Sequence, residues 1–150
     1  MAVVTIAQVL ACAEDFERML AEFYANTSHQ STKEGVRLLA DYMGRHRVRT
    51  HEALSKLPLK NLNRIYKTPL RYEPHAANCH CFEGVELGPE ATSAEVLDAA
   101  IRFDECLVQL YRQVVRQPVD REINELFESL IRMEQDDEIQ LKKIKAMDYF

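Results

Sequence analysis

Two stretches of this sequence repeat one another and decide its fold: Phe16-Glu-Arg-Met-Leu-Ala-Glu-Phe-Tyr24 and Phe103-Asp-Glu-Cys-Leu-Val-Gln-Leu-Tyr111. The apolar residues of both stretches recur at three- and four-residue steps, which is the period of one face of an α-helix. Each stretch carries an acid at the same place, Glu17 in the first and Asp104 in the second. The repeat therefore predicts two related helices, each with a carboxylate on its apolar face.

The same periodicity extends outward from the two stretches and predicts four long helices, over residues 6–26, 32–57, 93–117 and 121–147. Capping boxes, in which Ser or Thr is followed three residues later by Glu or Gln, mark the starts of the first three helices at Thr5, Ser31 and Thr92. Pro58 and Pro118 end the second and the third helix. The connections are short, except for a crossover over residues 58–91. The sequence thus predicts one all-α domain over 1–150, built from two helical hairpins, with the segment from Leu62 to Tyr72 as an extended loop along the helices.

Composition limits the classes of function. The chain has 150 residues with 47% hydrophobic and 29% charged side chains, which is typical of a globular protein. Its formal net charge of −5 leaves no cationic surplus for binding nucleic acid. No apolar run approaches the length of about 20 residues that spans a membrane. Four cysteines are too few and too dispersed for a disulfide framework, and no basic residue precedes Arg18 as a secretion signal would require, so we expect a cytoplasmic location.

Acidic side chains lie within the apolar stripes of the predicted helices, where a lone charge is costly to bury. Glu17 and Asp104 belong to the first and the third helix, and Glu134 belongs to the fourth, with Asp137 one turn further along the same face. His46 lies on the apolar face of the second helix. A buried carboxylate needs a cation beside it, so these five residues are candidates for one site in the interior. We expect Glu17 and Asp104 to face each other there, with His46 and Glu134 between them.

At these residues the chain resembles the ferritin-like superfamily, and especially rubrerythrin-type proteins. In those proteins helices one and three each give a Glu, and helices two and four each give a Glu-x-x-His motif, to a di-iron site. The corresponding pairs here are Met43-x-x-His46 and Glu134-x-x-Asp137. The resemblance implies a ferritin-like four-helix bundle, a homodimer, and an iron or other divalent metal site at Glu17, His46, Asp104, Glu134 and Asp137.

The candidate ligand set departs from the family pattern, because Met43 replaces a bridging carboxylate with a thioether that iron binds poorly. Asp137 replaces a His, and Asp104 replaces a Glu. Two alternatives follow. One is an altered site that holds a single metal ion, and the other is a metal-free polar core in which His46, helped by a neighbouring Arg, pairs with the acids. The basic cluster Arg45, Arg47 and Arg49 is interpreted as a solvated helix face.

A second group of metal-ligand residues lies in the crossover, at His75, Cys79, His80 and Cys81. Its spacing matches no tetrahedral zinc pattern, so a surface loop that contains cysteines is the alternative. Three functions therefore remain open from the sequence. The leading hypothesis is a non-catalytic ferritin-like protein with a degenerate metal site and a role in interaction, assembly or stress-related binding. The others are a rubrerythrin-like iron-dependent oxidase or peroxide-reducing enzyme, and a metal-handling module that acts through the crossover cysteines and histidines.

Overall fold

The computed structural model describes residues 4–55, 62–72, 81 and 84–147. Their regular structure is helical and includes no β-strand, which confirms the predicted all-α class. The described helices are α1 (Ile6–Gln30), α2 (Glu34–Ser55), α3 (Leu62–Lys67), α4 (Ser93–Val115) and α5 (Arg121–Met147). Capping boxes open α1 at Thr5 and α4 at Thr92, as the sequence predicts.

The turn between α1 and α2 is shorter than the sequence predicts. The first helix is predicted to end at residue 26, but α1 continues to Gln30. The Thr27 hydroxyl donates to the carbonyl of Phe23 (2.9 Å). Ser31 does not open α2; it ends α1, where its backbone N–H donates to the carbonyl of Thr27 (3.1 Å). A tight turn results, and α1 and α2 pack along each other as a hairpin.

The crossover prediction is wrong for residues 62–67. Residues Leu62–Lys67, expected to be extended, form α3, which buries Ile65 in the core. The chain then runs beside the start of α1, where the backbone N–H of Leu70 donates to the carbonyl of Val4 (2.8 Å) and that of Ile6 donates to the carbonyl of Thr68 (3.0 Å). Burial of apolar side chains in α3 and at Leu70 gives this part of the crossover a fixed place against α1.

One core joins the two hairpins, α1 with α2 and α4 with α5. The two repeated stretches meet in it, since the rings of Phe16 and Phe103 pack edge-to-face with centroids 6.4 Å apart. Phe23 also packs against Phe103, with centroids 5.2 Å apart. The repeated Tyr24 and Tyr111 are both fully buried. The internal repeat therefore places matching faces of α1 and α4 against each other at the centre of the fold.

A disulfide joins Cys81 of the crossover to Cys106 of α4. The cysteines, predicted to be too few and too dispersed for a disulfide framework, thus still form one disulfide, because the fold brings Cys81 against α4 although the two cysteines are 25 residues apart in sequence. Disulfides persist mainly in oxidising compartments, so the cysteines no longer favour a cytoplasmic location. None of the described helices combines the length and the apolar character that a membrane span needs.

Reduction of this disulfide should lower the free energy of unfolding by about 2–4 kcal/mol, because the unfolded chain regains the freedom that a closed loop of this length removes. Urea denaturation of the parent with and without a thiol reductant measures the loss. In a Cys81→Ser, Cys106→Ser variant the reductant should have no further effect. If parent and variant have equal midpoints in the absence of reductant, the disulfide does not stabilise the fold.

Candidate functional site: a buried ionic cluster

The guanidinium of Arg47 lies at the centre of the interior, among carboxylates from the other three long helices. Its Nη1 donates to Glu17 Oε1 of α1 (3.0 Å) and to Glu134 Oε2 of α5 (3.2 Å). Its Nη2 pairs with Asp104 of α4 and donates to Asp137 Oδ2 of α5 (3.2 Å). We call these five residues the ionic cluster. Every long helix contributes to it, and only Asp137 is partly exposed, at 13% of its side chain.

Helical spacing explains why these side chains point inward. Arg47 lies one turn after Met43, which is fully buried, so it belongs to the core stripe of α2. Glu17 follows Phe16 and precedes Leu20 on the buried face of α1, and Asp104 occupies the matching place in α4. The internal repeat thus brings two carboxylates towards one point, and α2 supplies the cation between them.

The structure corrects two expectations for α2. His46 does not lie between Glu17 and Asp104; its side chain is 32% exposed, and its Nε2 contacts Asp137 Oδ1 at 2.9 Å from the solvent side. Arg47 is not part of a solvated basic face but is fully buried, whereas Arg45 and Arg49 are exposed as predicted. Successive residues of an α-helix are rotated by about 100° about the helix axis. A prediction that turns His46 inward therefore leaves its neighbour Arg47, the actual cation of the core, on the surface.

Burial dominates the electrostatics of the ionic cluster. It raises the pKa of Glu17 to about 8, although the charge of Arg47 opposes the change. Burial also raises the pKa of Glu134, again against the charge of Arg47. For Asp137 the effect of burial is outweighed by the hydrogen bond from His46 and the charge of Arg47, which hold its pKa below the usual value. One guanidinium thus lies beside four carboxyl groups, of which Glu17 and Glu134 hold their protons more strongly than usual.

Two tyrosines border the ionic cluster and carry hydroxyls with no hydrogen-bond partner among the described groups. They are Tyr24 and Tyr111, the equivalent residues of the internal repeat. Burial raises the pKa of both phenols, and the charges of Glu17 and Glu134 raise it further. Both tyrosines therefore remain neutral hydroxyls at physiological pH. They add two potential donors beside the carboxylates.

A groove of about 400 Å³ leads from solvent towards the ionic cluster between α2 and α5. Tyr42 and His46 line it from α2, while Met133, Glu134 and Asp137 line it from α5. The rings of Tyr42 and His46 stack nearly parallel, at 14°, with centroids 6.5 Å apart. The cluster is thus buried, and this groove borders it at Glu134 and Asp137.

Three acids of the ionic cluster form a group that can hold a metal ion. Asp104, Glu134 and Asp137 each offer one carboxylate oxygen, and these oxygens lie within 4.8 Å of one another. Arg47 pairs with the same three residues, so a metal ion and the guanidinium would compete for the same carboxylates. Met43 is buried and contributes no carboxylate. The donor set therefore suits one cation at a time and does not fit a two-iron centre.

The crossover group of His75, Cys79, His80 and Cys81 falls mostly outside the described residues. His75, Cys79 and His80 lie there, so that metal-site prediction stays a prediction for them. Cys81 is described and is bonded to Cys106. While the disulfide is intact, Cys81 has no thiolate to offer a metal.

No protein-family model, curated protein or solved structure matches this chain. The resemblance to the ferritin-like superfamily therefore stays a hypothesis that rests on the residues of the ionic cluster. The resemblance does not account for Arg47, which lies at the centre of that cluster.

The raised pKa of Glu17 predicts that the protein loses stability as pH rises. The pKa of Glu17 is raised from its ordinary value of 4.5 in the unfolded chain to about 8 in the folded protein, so the folded state binds more protons between these values. The contribution of Glu17 to the free energy of unfolding is complete below about pH 4.5 and is lost as the pH approaches 8. Urea midpoints between pH 5 and 8 should therefore fall less steeply in a Glu17→Gln variant than in the parent. A Glu22→Gln variant on the exposed side of α1 is the control, and equal slopes in all three proteins would contradict the prediction.

Proposed function

We propose that this chain is a non-catalytic protein of ferritin-like architecture, a four-helix bundle in which a built-in cation takes the place of a metal ion. The observation that carries the proposal is the position of the Arg47 guanidinium among Glu17, Asp104, Glu134 and Asp137. These acids occur at the places where the family resemblance predicts metal ligands. The role of the protein is then interaction, assembly or stress-related binding through its surface.

The chemistry of arginine supports this proposal. A guanidinium carries a permanent positive charge and five N–H donors, so it links several carboxylates in the way a bound cation does. It neither accepts an electron nor binds oxygen or peroxide as a ligand. In rubrerythrin-type proteins the oxidase and peroxide-reducing chemistry depends on iron, and a guanidinium in the place of iron does not supply that chemistry. The ionic cluster therefore stabilises the interior without reacting.

A second candidate function is a rubrerythrin-like iron-dependent oxidase or peroxide-reducing enzyme with an altered metal site. The oxygens of Asp104, Glu134 and Asp137 favour it, because they are close enough for one divalent ion. The groove lined by Tyr42 and His46 would give a small substrate such as peroxide access to these acids. In this case Arg47 would have to leave at least one of its carboxylates when the metal binds.

Metal analysis and an activity assay distinguish the two functions. Protein purified without chelators should contain far less than one equivalent of iron or manganese, and it should neither oxidise ferrous iron nor consume peroxide above background. Stoichiometric metal that is lost in His46→Ala and Glu134→Gln variants would contradict the non-catalytic function. Glu128→Gln is the matched control, because Glu128 is an exposed acid of the same helix. Metal that survives in all variants equally binds elsewhere and leaves the ionic cluster without a metal.

A further inference from the structure

A groove of about 600 Å³ runs along the outside of the first hairpin, between α1 and α2. Small residues from both helices make its floor, and they are Ala21, Ala25, Ala40 and Gly44. This groove shares no lining residue with the groove that borders the ionic cluster. A volume of this size, lined mainly by apolar carbon between two helices, is typical of a site for a small molecule.

Charged side chains lie on the α2 side of this groove. Arg45 and Arg49 are one helical turn apart and both are exposed, and Asp41 lies one turn before Arg45. None of these three residues forms an ion pair with any other residue that the structure describes. Two guanidiniums are therefore available at one end of the groove, and one carboxylate is available nearer the other end.

The length and the lining of the groove define the shape of a ligand. From Ala40 to Arg49 the axis of α2 advances by about 14 Å, at 1.5 Å per residue. The floor offers methyl and backbone carbon over this distance, and Val48, which is 47% exposed, adds an apolar side chain beside the arginines. A ligand that fills the groove is therefore narrow, elongated and apolar over most of its length.

The charges define the ends of the ligand. Guanidiniums present N–H donors in a plane that matches the two oxygens of a carboxylate, and hydrogen bonds between such charged groups are stronger than neutral ones. The methylene stems of Arg45 and Arg49 can also cover part of an apolar chain. Asp41 lies about 12 Å before Arg49 along the helix axis and would repel a second acid there. The groove thus fits a chain with one anionic end and one uncharged end.

The concave form of the groove favours a single chain over a membrane surface. A helix that lies on a membrane presents protruding apolar side chains beside a cationic polar face. Here most of the apolar surface is the floor between two helices, and Asp41 on the rim would repel anionic lipids.

We propose that this groove binds the anion of a medium-chain fatty acid. The carboxylate lies at Arg45 and Arg49, and the alkyl chain lies along the floor past Gly44 towards Ala25. Binding at this place involves no residue of the ionic cluster. The test of the proposal is therefore independent of the non-catalytic function proposed above.

Calorimetric titration of the full chain with decanoate tests the proposal. The parent should bind decanoate in a saturable, one-to-one manner. Arg45→Gln with Arg49→Gln should raise the dissociation constant roughly tenfold or more, because both charged donors are lost. Arg121→Gln with Arg132→Gln is the matched control, since it removes the same charge from exposed positions of α5, and it should leave the dissociation constant unchanged.

A series of ligands tests the two ends of the groove separately. Decanol keeps the chain without the charge, and butyrate keeps the charge with a shorter chain, so each should bind roughly tenfold or more weakly than decanoate. Decanedioate should also bind more weakly, because its second carboxylate comes near Asp41. Asp41→Asn should remove the difference between decanoate and decanedioate.

Nuclear magnetic resonance locates the site. Decanoate should shift the backbone amide signals of Ala21, Gly44 and Val48 most strongly. The proposal is wrong if the parent does not bind decanoate, if the double arginine variant binds it as strongly as the parent, or if the shifts concentrate elsewhere. Without decanoate binding, association of the parent with phosphatidylglycerol vesicles would assign the arginines to a membrane surface instead, and self-association would assign the groove to a second copy.

Discussion

Replacement of Arg47 by methionine is expected to lower the free energy of unfolding by about 3–5 kcal/mol at neutral pH, which is the range for removing one partner from a buried ion pair. Methionine fills much of the volume of arginine, so the loss reports the missing charge more than a cavity. Four carboxyl groups would remain near one another in the interior, with the His46 imidazole in contact with Asp137 alone. Urea denaturation of the parent and the variant at pH 7 measures the difference.

The pH dependence of this loss separates charge from packing. Without the guanidinium the buried carboxylates should hold protons more strongly in the folded state. Their contribution to the free energy of unfolding is therefore present at low pH and is lost as the pH rises. The deficit of Arg47→Met should therefore be smallest near pH 4–5. Arg132→Met is the control, because Arg132 is an exposed residue of α5, and its effect should stay within about 0.5 kcal/mol. A deficit for Arg47→Met that is equally small, or that does not change with pH, would show that the guanidinium does not balance the acids.

The sequence predicts the long helices because their signals are local. Capping boxes and apolar periodicity place the starts of α1, α4 and α5 at the residues where the structure has them. The end of α1 and the crossover were predicted less well, since their structure depends on contacts with distant residues. Leu62–Lys67 forms a helix that buries Ile65 in the core, and Cys81 meets Cys106 only in the folded chain. Neither contact leaves a periodic pattern in the sequence.

The acids of the ionic cluster were predictable because they interrupt apolar stripes that otherwise contain no charge. Glu17, Asp104 and Glu134 are buried, as their positions in the sequence indicate. The predicted partner of these acids is His46, helped by a neighbouring Arg, because the family resemblance places the histidine of the second helix at the site. The sequence nevertheless contains the correct signal, because Arg47 lies four residues after Met43 on the core stripe. A buried arginine is expected only where several carboxylates compensate its charge.

If Arg47 takes the place of a metal ion, variants that restore the metal ligands should bind iron tightly only when Arg47 is also removed. Met43→Glu with Asp137→His restores the carboxylate and the imidazole of the family pattern, and both ligands suit ferrous iron better than the thioether of Met43. While Arg47 remains, these two changes should raise iron affinity only slightly, because the guanidinium still pairs with Glu17, Asp104 and Glu134. Adding Arg47→Ala removes this competitor and opens space among the carboxylates. Affinity for ferrous iron should then rise by orders of magnitude over the double variant.

Anaerobic titration with ferrous iron, followed by calorimetry and thermal denaturation, measures this difference. The triple variant without metal should be less stable than the parent, because an added buried carboxylate repels Glu17 and Glu134 and raises their pKa values. Iron should restore its stability, since a ligand that binds only the folded state stabilises it by an amount that grows with the logarithm of concentration over the dissociation constant. The parent should show no such gain. Equal iron affinity in the double and triple variants would mean that Arg47 does not compete for the site, and the proposed replacement of a metal by Arg47 would then be wrong.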